Sequence, residues 1–265
     1  MKHDRLGPVI SVANQKGGVG KTTTSINVAA SLATLDKRVL LIDLDPQGNA
    51  STGLGIAKEE VSAGSYDLLM GGSLEETIHT SSCEGLHVVP ANMDLAGAEV
   101  ELVGMENRER VLDRALDHFS GEPFDFVLID CPPALNLLTI NALTGSDRVL
   151  ITLQAEFYAM EGLTQLMDTI RRVRQSLNPS LAMEGILLTM MDRRNNLALQ
   201  VEEEVREYFG QQVYEHTIPR NVRLSEAPSF GIPALYHDMR STGAQAYLAV
   251  AREMMQRHEL HRSMA

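Results

Sequence analysis

The chain has no tryptophan, two cysteines and five lysines among 265 residues, and aromatic side chains make up 5% of it. Cys83 and Cys131 are too few and too far apart for a disulfide framework or a four-ligand zinc site, so a reducing cytoplasm is the expected compartment. No apolar run approaches the roughly 18 uncharged residues that a membrane-crossing helix needs. The opening Met1-Lys2-His3-Asp4-Arg5-Leu6-Gly7-Pro8 lacks the apolar centre of a secretory signal. Neither export nor integral membrane association is expected. Repeats, low-complexity tracts and Pro/Ser-rich linkers are missing too, which points to one domain over 1–265, with flexible ends at 1–7 and 259–265.

What is present is ordinary for a packed globular chain: 44% apolar and 22% charged residues. The net charge is −12, from 23 Lys and Arg against 35 Asp and Glu. That total argues against a nucleic-acid partner, because phosphate binding draws on clustered Lys and Arg. The distribution changes the argument. Residues 1–58 hold 7 basic and 4 acidic groups, residues 59–130 hold 3 and 16, and residues 131–265 hold 13 and 15. One central segment therefore carries the acidic excess. All five lysines (Lys2, Lys16, Lys21, Lys37, Lys58) precede it.

Short runs rich in Val, Ile and Leu read as buried strands at Val9–Ala13, Val39–Asp43, Leu86–Pro90, Phe126–Asp130, Val149–Leu153 and Gly185–Thr189. Between them, three-and-four spacing of apolar residues predicts helices at Thr23–Leu35, Arg108–Phe119, Gly162–Leu177, Leu197–Phe209 and Ala244–Met255. Alternating strand and helix implies an α/β fold, a single mostly parallel twisted sheet with helices on both faces.

The sharpest motif is Lys16-Gly17-Gly18-Val19-Gly20-Lys21-Thr22-Thr23, between the first strand and the first helix. Glycines there let successive N–H groups face an anion, and the helix N-terminus adds its positive end. Lys21 is placed to reach the β- and γ-phosphates of a nucleotide and the Thr22 hydroxyl to ligate Mg²⁺. Asp130 closes a later buried strand, where a carboxylate can hold the same ion directly or through water. Asp43 and Asp45 close the second strand in Leu41-Ile42-Asp43-Leu44-Asp45-Pro46-Gln47-Gly48-Asn49. Asp45 can orient the attacking water, and either acid also reads as a turn former. On its residues alone, Lys16 is equally a solvated loop lysine.

The loop departs from the common G-x-x-x-x-G-K-[ST] pattern, with Gln15 at its first position and the extra Lys16 following. This K-G-G-V-G-K-T form resembles the deviant Walker A motif of the ParA/MinD family of P-loop ATPases. The resemblance implies that Lys16 crosses a dimer interface to the partner's phosphates, that the second Asp of L-I-D-L-D-P-Q (Asp45) serves hydrolysis and that Asp43 lies near the metal. Thr217-Ile218-Pro219-Arg220-Asn221-Val222-Arg223-Leu224-Ser225-Glu226-Ala227-Pro228 is similar to the I-P-R-N-x-R-L-S-E-A-P signature of ParA/Soj partitioning ATPases. There Pro219 and Asn221 would line the adenine pocket. Leu188-Thr189-Met190-Met191-Asp192 resembles the strand end beside the base, with Met191 against it.

The resemblance further implies ATP and Mg²⁺ as cofactors, an ATP-bound homodimer, non-specific double-stranded DNA, a ParB-type activator of hydrolysis, and a cytoplasmic, nucleoid-associated place of action. Nine arginines fall between Arg171 and Arg240, with nine acids among them. Arg220 and Arg223, which flank Asn221, are the expected DNA contacts; the plainer reading of any single arginine is a solvated ion pair. A MinD-like membrane-associated ATPase is the alternative, but Tyr247, Leu248, Val250, Ala251, Met254 and Met255 are spaced as in a packed helix. A nitrogenase-type iron protein would need cluster-ligating cysteines, and Cys83 and Cys131 read better as buried thiols. With the loop starting at Lys16, an N-terminal helix-turn-helix is not expected.

Overall fold

The computed structural model describes residues 2–3 and 5–264, with side chains through 260. Seven strands form one sheet: β1 Val9–Ala13, β2 Val39–Asp43, β3 His79–Thr80, β4 Leu86–Val89, β5 Phe126–Asp130, β6 Arg148–Gln154 and β7 Ala182–Thr189. Their spatial order is β3-β4-β2-β5-β1-β6-β7. Every pairing is parallel except β3 with β4 at the edge. The helices are α1 Lys21–Thr34, α2 Asn49–Gly53, α3 Ser65–Leu69, α4 Leu74–Thr77, α5 Leu95–Val103, α6 Val111–Asp117, α7 Leu137–Gly145, α8 Ala159–Ser176, α9 Asn196–Phe209, α10 Val222–Glu226, α11 Ala234–His237 and α12 Thr242–Met264.

Alternation along the strands divides the core. Leu40, Ile42, Val127, Ile129 and Ile151 face one layer, which includes α6, α7 and α8. Ile10, Val12, Leu41, Leu128 and Leu150 face the other, where α1 and α12 lie. In α8 the residues at three-and-four spacing, Leu163, Leu166, Ile170 and Val173, are buried while Arg171, Arg172 and Arg174 point outward. The expected α/β class is what folds, and three of the six expected strands keep the same bounds.

Both chain ends differ from expectation. Lys2 donates its backbone N–H to Asp147 Oδ1 at 2.8 Å. His3 is 2% exposed, with Nδ1 2.5 Å from Asp117 Oδ1 and Nε2 2.9 Å from the Gly145 carbonyl. Leu6 is buried, and Gly7 N–H bonds the Phe124 carbonyl at 2.8 Å. These contacts join the described part of the segment 1–7 to the body of the fold; Met1 and Asp4 lie outside the described residues. At the other end α12 continues through 259–264, so the expected loose tail is helical there, and Ala265 lies outside the described residues.

Candidate active site

Strand β1 sits mid-sheet, between β5 and β6, and delivers the glycine-rich loop to the carboxyl edge. Asn14 anchors the loop's start: its Nδ2 donates to the Thr152 carbonyl at 2.6 Å, and its Oδ1 accepts from Lys16 N–H at 2.9 Å. Gly18 and Gly20 have φ of 76° and 83°, a left-handed conformation that side-chain-bearing residues resist. The Val19 carbonyl accepts from Thr189 Oγ1 at 2.8 Å, which ties the loop to β7. No side chain caps α1 after Gly20, so the first amides of the helix keep their capacity for an anion.

Four charged groups converge below this loop. Lys21 is buried and donates to the Lys16 carbonyl at 3.0 Å; burial lowers its pKa, against the opposing charges of Asp130 and Asp45. Asp130 and Asp43 are fully buried neighbours in the β5–β2 register. Burial raises the pKa of both, and in Asp130 the neighbouring Asp43 charge adds to it. Ser25 Oγ donates to Asp130 Oδ1 at 2.8 Å, while Oδ2 is buried without a hydrogen-bond partner. Such an orphan oxygen, next to a second carboxylate and near the Thr22 hydroxyl, fits a divalent cation of oxygen-ligand preference.

Asp43 is differently employed. Its Oδ1 accepts from Asp45 N–H at 3.1 Å, and its Oδ2 accepts from Ser51 N–H at 2.9 Å and Ser51 Oγ at 2.7 Å. It therefore braces the following loop while standing beside Asp130, near the place where a metal would be held. Asp45, 6% exposed, accepts Gln47 N–H at 2.9 Å through Oδ1.

A cavity of about 610 Å³ opens beside the loop, lined among others by Gly20, Thr22, Thr23, Pro219, Asn221 and Tyr247. The Pro219 segment is held by backbone bonds from Met191 N–H to the Ile218 carbonyl (2.9 Å) and from Arg220 N–H to the Met191 carbonyl (3.1 Å). Met191 itself turns into the core at 4% exposure, and Met190, at a φ of 53°, lines the cavity in its stead. That corrects the expectation for Met191: the turn at the end of β7 reverses which of the two methionines faces out. Asn221 lines the cavity, caps α10 through Arg223 N–H at 2.9 Å and donates to Thr242 Oγ1 at 2.8 Å.

Lys16 is half exposed and pairs with Glu156 of its own chain. Arg220 is exposed at the cavity rim, whereas Arg223 is engaged by Glu226 at 2.7 Å and Asp238 at 3.5 Å. Gly17 faces open space. Sequence reasoning missed Ser25, Ser51, Glu156, Thr189 and Tyr247. Only Ser25 carried a signal, one helical turn after Lys21 on the same face.

A family model described as an AAA domain matches residues 7–183. The chromosome partitioning protein ParA of Myxococcus xanthus (strain DK1622) is 55% identical over 253 residues, covering 95% of this chain and 89% of the relative. The sporulation initiation inhibitor protein Soj of Bacillus subtilis (strain 168) is 54% identical over 250 residues, covering 94% and 98%. Among solved structures, one described as cobyrinic acid a,c-diamide synthase from Mycobacterium smegmatis with bound ADP and magnesium superposes with a TM-score of 0.83 at 37% identity, covering 96% of each chain. Identity of this order along almost the whole length, around a loop of the deviant Walker A form, places the chain in the ParA/Soj family of chromosome-partitioning P-loop ATPases.

Proposed function

We propose that the chain hydrolyses ATP with Mg²⁺, that ATP closes two copies into a sandwich dimer, and that the dimer binds double-stranded DNA without sequence preference until a ParB-type partner triggers hydrolysis. The observation that carries this reading is the buried, unpartnered Asp130 oxygen beside Lys21 at the mouth of α1. Mg²⁺, when held by Thr22 and Asp130, supplies the positive charge that offsets the phosphates. The loop amides and Lys21 bind and orient the phosphate chain. Asp45 orients the attacking water, and the cavity walled by Pro219, Asn221 and Tyr247 receives the base.

Lys16 acts in trans in this reading, after release from Glu156. Arg220, exposed at the rim, is better disposed toward DNA than Arg223, which Glu226 and Asp238 engage. With four to six phosphate contacts per dimer, log K falls by roughly four to five units per decade of salt. The place of action is the cytoplasm, on the nucleoid. A MinD-like membrane role finds less support, since Ala244, Tyr247, Val250, Ala251 and Met254 of α12 are buried in the core.

The test is size exclusion and DNA co-sedimentation with ADP and with ATP, for the unsubstituted protein and Asp45→Ala. Asp45→Ala should accumulate as an ATP-bound dimer that sediments with DNA. Failure to dimerise, or equal DNA affinity with ADP and ATP, overturns the reading.

A further inference from the structure

Between Arg38 and Arg108 the sequence contains a single lysine or arginine, Lys58, at the border of its most acidic stretch. Lys58 opens a short 3₁₀ turn, Lys58–Glu60, ten residues past the loop that carries Asp45, yet its side chain folds back onto that loop. Its ammonium donates to the Gln47 carbonyl. Its aliphatic stem lies over Gly48 so closely that a Cβ built there would stand 2.6 Å from Lys58 Cε and 3.3 Å from Cδ.

The segment under Lys58 is a tight turn. Asp45-Pro46-Gln47-Gly48 has Asp, Pro and Gly at the first, second and fourth positions, the places each favours in a type I turn. Gly48 N–H closes it on the Asp45 carbonyl at 2.7 Å, and Gln47 N–H bonds the Asp45 side chain at 2.9 Å. The same Gly48, at a φ of 57°, caps α2, whose Ser51 holds Asp43 and whose Asn49 and Thr52 line the nucleotide cavity. One carbonyl of this turn, that of Gln47, points to the exposed side, and Lys58 is the group that receives it.

We propose that Lys58 is a positioning residue for hydrolysis: by capping the Gln47 carbonyl and covering Gly48, it fixes the turn that aims the Asp45 carboxylate. This rests on the ATPase reading above, in which Asp45 orients water. A charge-assisted bond to a carbonyl is stronger than a neutral one, and the sequence holds no other lysine or arginine between Arg38 and Arg108. Lys58 does not itself line the cavity, so its loss acts through the turn.

The experiment compares Lys58→Ala, Lys58→Met and Lys58→Arg in steady-state ATP hydrolysis with Mg²⁺, with Lys21→Ala as the background. Lys58→Ala should lower kcat about tenfold with KM for ATP within about twofold, as misplacing a reacting group does. Lys58→Arg, which keeps the cation, should recover most of the rate, and Lys58→Met, which keeps only the stem, should not. Amide exchange at Gln47 and Gly48 should quicken in the Ala and Met variants while the unfolding midpoint stays put. Unchanged kcat in Lys58→Ala beside an active parent, or full rescue by Met, overturns the proposal alone. A parent no faster than Lys21→Ala overturns the ATPase reading and the proposal with it.

Discussion

Buried charge sits at both ends of the sheet, and the two ends treat it in opposite ways. At the carboxyl end Asp43 and Asp130 stand side by side, both pushed up by burial, and one Asp130 oxygen has no partner. At the amino end Glu184, 4% exposed near the start of β7, has cations of its own chain beside it, although its Oε2, like Asp130 Oδ2, makes no hydrogen bond. Tyr214 donates to its Oε1 at 2.8 Å, His258 Nε2 lies 3.0 Å from Oε2, and Arg148 is 3.7 Å away. Burial alone would raise the Glu184 pKa, but His258, Tyr214 and Arg148 outweigh it and hold the group below its ordinary value. The chain can evidently neutralise a buried carboxylate with its own side chains. That it does so at one end only marks the other as prepared for something brought from outside.

The sharpest way to break this comparison is Lys21→Ala, which removes the one cation buried among the carboxylates of the active end. Hydrolysis should fall by about a hundredfold or more, measured as kcat/KM for ATP per folded molecule. The mirror experiment is Glu184→Ala at the amino end. Stripping one member of a buried ion-paired group costs about 3–5 kcal/mol, read by denaturant unfolding, while ATP turnover per folded molecule should stay as in the parent. Its pH dependence has a defined sign. A carboxyl held below its ordinary value of 4.5 contributes stability that is present above about that pH and lost as pH falls through the lowered value. The gap between parent and a Glu184→Gln variant should therefore narrow from pH 6 toward pH 3.

Asp130→Asn sharpens the contrast from the other side. In chelator, replacing a buried acid that must take up a proton to fold should raise the unfolding midpoint by a few degrees, and ATP with Mg²⁺ should no longer protect the variant. Here the sign reverses. Because the folded state holds a proton that the unfolded state releases above about 3.8, the parent loses stability as pH rises toward neutrality, and the advantage of Asp130→Asn should widen over that range. The smallest effect belongs to Glu156→Ala. The Lys16–Glu156 pair is half exposed, and such pairs are worth at most about 1 kcal/mol, so freeing Lys16 should raise the ATP-dependent dimer fraction no more than about fivefold, by light scattering.

The active end was legible in the sequence because its signals are local. A buried strand, a glycine loop and a helix follow one another from Val9 to Thr34, and Asp130 closes a strand of five apolar or acidic residues with unambiguous bounds. The amino end was not legible. Glu184 meets Tyr214 and His258 only through tertiary packing across 30 and 74 positions, and no spacing rule reports such meetings. The same reason hid the anchoring of His3 on Asp117, which made the N-terminus look loose. Helices α2, α3 and α4 have only four or five residues, too short for a period to show, and β3 has two. Met190 and Met191 could not be told apart, since the choice rests on a single left-handed residue after β7.

The hydroxyl of Tyr247, in α12, lies 3.0 Å from the Thr24 hydroxyl, in the first turn of α1. Opening the last helix therefore exposes the flank of the helix that receives phosphate. A bound nucleotide should slow deuterium uptake across α12 as well as in the glycine loop, so the final segment of the chain serves as a gauge of whether its first loop is occupied.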